Sequence, residues 1–193
     1  MTRSAPDSGS WLSQTSARAA LKHFSPARLG AGVVLSFALL LLLARARGWS
    51  WPTLALTPLI VALAAIVILD FATRIIPNLI TVPLLVYALL LAAMHVTTSL
   101  PQAVLGAVIG GALPFAVEVM RRGAIGGGDV KLMAVLGAVL GWKGAVYVFA
   151  VSHVAGALVL LTLFLIHRRF PRGRFPIGAL ISLVGAIFVV GVR

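Results

Sequence analysis

Seven apolar runs, near residues 29–44, 52–70, 79–97, 101–120, 131–141, 143–167 and 175–192, constrain this chain more than any other feature. About 20 apolar residues cross a bilayer as a helix. In lipid every backbone N–H and C=O needs an internal partner, and these runs are too long and too uniformly apolar for barrel strands. The chain is therefore expected to be all-α, a polytopic transmembrane bundle of about six or seven spans. Only 10% of its residues are charged, against roughly 25% in soluble domains. The fifth run, 131–141, is too short to span. A half-length helix is tolerated where the backbone before it is shielded by protein or lines a polar cavity.

Charge sets the orientation. Most of the 16 Lys and Arg fall between the runs, so the net charge of +12 reads as topology signal and contact with lipid headgroups rather than nucleic-acid binding. Arg74, then Arg121, Arg122 and Lys131, then Arg168, Arg169, Arg172 and Arg174 lie at alternate ends, which makes those ends cytoplasmic. Arg45 and Arg47 fall on the outer side and run against this scheme. Residues 1–27 are Ser-, Ala- and Arg-rich without apolar period and read as a disordered basic cytoplasmic tail. Residues 28–193 form the membrane domain. The first run reads as a retained span, because Ala44 and Ala46 are flanked by arginines and offer no clear signal-peptide cleavage site. No internal repeat or separate soluble domain is evident. With no cysteine, disulfides, thiolate catalysis and cysteine-based zinc sites are excluded. Neither metal nor cofactor is expected.

Four acidic residues remain to be explained. Asp7 belongs to the tail, and Glu118 reads as a snorkelled partner of Arg121 and Arg122 one turn on. Asp70 ends the run TPLIVALAAIVILD, and Asp129 follows Gly126-Gly127-Gly128. Ionisable groups at membrane depth are costly and default to functional roles. Asp70 could simply pair with Arg74 one turn later. Under the topology above, however, both aspartates lie at cytoplasmic helix ends and share one depth. Two such carboxylates suit an aspartic-protease dyad, one ionised and activating water, the other protonated and polarising a carbonyl. Asp129 at a helix N-terminus is the expected ionised member, and Asp70 at a C-terminus the holder of the shared proton. The glycines permit close approach of an extended peptide. Lys131 either orients Asp129 or anchors the loop to headgroups.

Three stretches resemble the type IV prepilin peptidase family, bacterial members of the GxGD intramembrane aspartyl proteases (peptidase A24). DFATRIIPNLIT, 70–81, is similar to the first catalytic block, an Asp followed by a basic residue and Ile-Pro-Asn, here Arg74, Pro77 and Asn78. GGGDVKLMAVLGAVLGW, 126–142, resembles the second block, with Gly126 and Gly128 as motif glycines and Lys131 as its lysine. RFPIGALISLVGAIF, 174–188, is similar to the Pro-x-Gly-containing last span, without the second proline often found there. The resemblance implies catalytic Asp70 and Asp129. It also implies cleavage of basic leaders from prepilin or pseudopilin substrates at the inner face of the bacterial cytoplasmic membrane, after a small residue. Larger relatives carry a cysteine-rich zinc insert and N-methylate the product. A chain without cysteine looks like the short, peptidase-only form of Flp/Tad-type pilus systems, and methylation is not expected. The rival readings are a proton-coupled transporter or channel using Asp70 and Asp129 as a relay, and a scaffold in which the acids pair with Arg74 and Lys131. Nothing in the sequence fixes the oligomeric state.

Overall fold

A computed structural model describes residues 26–121, 125–168 and 176–191. Among these described residues are six helices: α1 Pro26–Arg47, α2 Trp51–Thr73, α3 Asn78–Ala93, α4 Leu100–Met120, α5 Gly127–His167 and α6 Ile177–Gly191. No strand occurs among the described residues. Helix α1 begins inside the stretch expected to be tail, and residues 1–25 lie outside the described residues.

Local chemistry sets the helix boundaries. Ser50 and Ser99 precede α2 and α4 in extended conformation, each followed by a proline in the first turn, where the missing N–H costs no hydrogen bond. Pro58, Pro83 and Pro114 lie inside α2, α3 and α4, as neighbouring helices allow in a membrane bundle. Four of the helices are long and apolar enough to cross a membrane, while α3 and α6 are apolar but shorter.

Seven runs become six helices because the fifth and sixth are joined in α5. The join is Gly141, at φ 72° and ψ 178°, a conformation that a side chain would strain. There the chain doubles back. In α4, Gly106 packs against the backbone of Gly137 and Gly141, and Gly110 against Met133 before the break and Ala145 after it. Small residues at this spacing let helix backbones touch, which is where packing energy comes from when lipid competes for every apolar contact.

The two legs of α5 have different surroundings. Leu132, Met133, Val135, Leu136 and Ala138 on the short first leg are all fully buried, against α4, α6 and α3. The return leg leaves Tyr147, Val154, Leu158, Leu161 and Ile166 exposed, as a lipid-facing helix would. The short leg is thus shielded by protein, the condition under which a helix too short to span is tolerated. At the far end of the bundle Arg47 Nη2 donates to Val189 O at 2.9 Å. Val189 O is one of the last α6 carbonyls, which lack helical partners. One of the two arginines that run against the charge pattern therefore caps a neighbouring helix.

Candidate active site

The site begins where α2 ends. Arg74 adopts a left-handed conformation at φ 54° and returns its N–H to Asp70 O at 2.9 Å. Thr73 Oγ1 donates to Leu69 O at 2.9 Å and accepts from Ile75 N at 3.3 Å, which tightens the turn. Pro77 is extended at φ −69° and caps α3, its carbonyl receiving Ile80 N and Thr81 N at 3.1 and 3.3 Å. Between these two stops the chain turns inward once, at Ile76, which is only 8% exposed. Proline disfavours helical backbone at the residue before it, so Ile76 projects from an extended link rather than a helix face.

Asp129 is the third residue of α5. Its Oδ2 accepts Gly126 N at 3.1 Å while Gly126 O accepts Asp129 N at 3.0 Å, the reciprocal pattern of a capped helix start. Ahead of this cap Ile125 N donates to Glu118 Oε2 at 2.8 Å. The carboxylate expected to pair with Arg121 and Arg122 therefore closes the loop that carries the glycines; Arg122 itself lies outside the described residues.

Asp70 is 5% exposed. Burying an ionisable group in lipid without a partner costs several kcal/mol, on the order of 3 at a helix centre. Asp70 Oδ2 accepts Ala179 N at 2.7 Å, across 109 positions of sequence. Arg74, its alternative partner, has an exposed side chain. Ala179 lies in the first turn of α6, so each aspartate accepts a first-turn or capping N–H, while Asp70 itself stands in the last turn of α2 and Asp129 in the first turn of α5.

The two acids meet over Gly178. A methyl group added there would lie 2.7 Å from Asp129 Oδ1, 3.0 Å from Asp70 Oδ2 and 2.6 Å from Ile76 Cδ1. Both carboxylates thus crowd one point at one end of the bundle. Ile76 also fills the space of a side chain at Gly128, its Cβ 2.7 Å from the position a methyl would take. This one residue therefore spaces α5 from α6 beneath the acids. Lys131 Nζ donates to Asn78 Oδ1 at 2.6 Å, which ties the start of α3 to the first turns of α5. Gly127 has open space where a side chain would be.

Sequence reasoning missed Ile76 and Ala179, although each lies inside a stretch singled out for other residues, and it met Gly178 only as the glycine of a Pro-x-Gly resemblance with no role attached. Among the described residues no three of His, Cys, Asp or Glu converge as a metal site would need. The arrangement brings two carboxylates that each accept a backbone N–H to one point, beside the N-termini of α5 and α6.

A family model described as the type IV leader peptidase family matches residues 57–161, a stretch that includes both aspartates. The chain belongs to that family. Among curated relatives it is similar to the prepilin leader peptidase/N-methyltransferase of Aeromonas hydrophila, 32% identical over 142 residues, covering 71% of this chain and 49% of the relative. The protein of the same description from Pseudomonas putida is 32% identical over 148 residues, 74% of this chain and 51% of the relative. That from Dickeya chrysanthemi is 35% identical over 135 residues, with coverage of 67% and 47%. The chain spans about half the length of the curated relatives it matches. No solved structure matches it significantly. Helices α1 and α6 lie outside the stretch matched to the family.

Proposed function

We propose that this protein is a membrane-embedded aspartic endopeptidase that removes the leader from prepilin or pseudopilin substrates at the cytoplasmic face of a bacterial inner membrane. One observation carries the reading: Asp70 and Asp129, from helices 59 positions apart in sequence, bring carboxylate oxygens to the same point beside Gly178. Family membership supports a prepilin as substrate. Arg74, Arg121 and Lys131 cluster at this end, which favours the cytoplasmic side.

In this mechanism one carboxylate takes a proton from the water held between the pair as its oxygen attacks the scissile carbonyl carbon. The partner, protonated, donates to the carbonyl oxygen. Collapse of the tetrahedral intermediate breaks the C–N bond; the proton taken from water passes to the leaving amine, and a hydroxyl proton of the intermediate returns to the partner carboxylate as the new carboxyl group forms. One aspartate is again ionised and the other protonated. A proton relay across the membrane is disfavoured, because both acids occupy helix ends at one face rather than the midplane.

The new N-terminal amine is proposed to leave unmethylated. The chain has no cysteine for a zinc insert, and its glycine-rich loop is occupied in presenting Asp129. The test is purified protein in liposomes with a candidate prepilin and S-adenosylmethionine, read by mass spectrometry. The wild type should yield the truncated pilin without a methyl increment. Asp70→Asn and Asp129→Asn should each lower the rate by at least the 10²–10⁴-fold, roughly, that acid–base catalysis supplies. Cleavage by either Asn variant at the wild-type rate would remove the dyad.

A further inference from the structure

The stretch matched to the family ends at residue 161, yet the contact that closes the site comes from α6. Two features of its first turn face the acids. The Ala179 N–H donates to Asp70 Oδ2 at 2.7 Å, the polar partner that the buried carboxylate takes from another helix. One residue earlier, Gly178 presents bare backbone where any side chain would meet Asp129 Oδ1, Asp70 Oδ2 and Ile76 Cδ1 at 3.0 Å or less. Real Cβ atoms essentially never come as close as the 2.6 and 2.7 Å to Ile76 Cδ1 and Asp129 Oδ1, and the 3.0 Å to Asp70 Oδ2 is tighter than most. The obstacles are two carboxylate oxygens and a side-chain terminus, so a methyl group at this point would push the acids apart while leaving every backbone in place.

We propose that the first turn of α6 is the third wall of the catalytic centre, in which Gly178 and Ala179 act as positioning residues. Gly178 leaves the gap in which Asp70 and Asp129 face one another, and the Ala179 N–H fixes the Asp70 carboxylate in rotation. The inference rests on the peptidase reading above and adds to it a role for a helix that lies beyond residues 57–161 and was met in the sequence only as a Pro-x-Gly resemblance.

Gly185 supplies the internal control. It lies two turns further along α6, and its methyl would meet Leu136 Cδ1 and Cδ2 at 2.6 Å, a packing conflict with no acid nearby. A misplacement of about 1 Å in a reacting group costs on the order of 10²-fold in rate. Gly178→Ala should therefore lower kcat about 100-fold with KM within about threefold of wild type. Gly185→Ala should keep kcat within about threefold, whatever it does to thermal stability. A double variant separates the neighbours of Gly178. Ile76→Val deletes Cδ1, the apolar atom in the way, and should not restore Gly178→Ala, because both carboxylates still meet the methyl.

The assay runs in the reconstituted system on wild type, Asp70→Asn and these variants together. A wild type that does not cleave would sink the peptidase reading itself. An active wild type beside a Gly178→Ala variant of near-normal kcat would sink only the inference about α6. Rescue by Ile76→Val would also overturn it, and so would loss of folded protein in Gly178→Ala but not in Gly185→Ala. Either result would reduce the glycine to packing.

Discussion

At one end of the bundle, Gly128 and Gly178 are closed over by Ile76 and by carboxylate oxygens. At the other end Gly141 has no atom nearer to its missing side chain than Thr98 Oγ1, at 3.7 Å. It borders a cavity of about 390 Å³ lined by Thr98, Gln102, Leu140, Trp142 and Lys143. Both ends are polar, and both depend on glycine. They differ in what the glycine is for. At Gly141 it permits a backbone angle, and the space left over faces outward with no acid in it. At Gly178 it permits proximity, and the space is filled by the two aspartates. Polarity at a helix end is therefore a poor guide to chemistry in such a protein; the better guide is what stands where a side chain has been left out.

The proposed chemistry, confined to one end, should make that end sensitive to a single methylene. Asp129→Glu keeps the charge but moves the carboxylate off the Gly126 N–H and away from Gly178. Cleavage should fall at least about 10²-fold, as for other displaced reacting groups. A glutamate variant of near-normal rate would mean that the spacing of the acids is not what the glycines protect.

Ile76→Ala should come next. Its removal opens a void between Gly128 and Gly178. Truncating a buried aliphatic side chain costs about 2–5 kcal/mol where the surroundings cannot collapse. The expected result is a lower melting temperature together with a loss of kcat, measured in the same preparation. A stability loss without any kcat loss would make Ile76 a packing residue only.

The bridge between Lys131 and Asn78 is exposed and should matter less. Lys131→Met and Asn78→Ala should each slow cleavage about two- to fivefold, and the double variant no more than either single one, since both remove one contact. Additive losses would show that the lysine works elsewhere, on substrate or headgroups. The smallest effect belongs to the opposite end. Thr98→Cys should leave cleavage unchanged and react with an impermeant thiol reagent added outside the cell, without background because the chain has no cysteine. Labelling from the cytoplasm would invert the topology.

What could be read from the sequence was what costs free energy in a membrane. Asp70 and Asp129 stand out because a carboxylate in an apolar run is expensive, and the same reasoning isolated the short run at 131–141. Ile76 and Gly178 cost nothing by composition, being one isoleucine and one glycine among many, and only their contacts give them a part. The partner of Asp70 is invisible for another reason: it is a backbone N–H, which every residue but proline carries, and it arrives from 109 positions away. Helix ends read along the sequence consequently favoured Asp129 alone as the acid at an N-terminus, when α6 supplies Asp70 with one too. The apolar runs likewise gave the break near residue 142, and the charges gave its sense, since Lys131 before it and Arg168 after it both read as cytoplasmic.

That reversal bears on how the protein is made. A nascent chain is sorted into lipid as segments long enough to be recognised, and residues 127–140 carry an acid and a lysine at their start and fall short of that length. The segment gains a stable place only once residues 142–167 have emerged to lie beside it. The two legs of α5 therefore enter the bilayer as one helical hairpin, delivered late, and Asp129 reaches Asp70 as a passenger on that hairpin. During synthesis the two aspartates come together only after the hairpin has entered, and α6 closes over them later still.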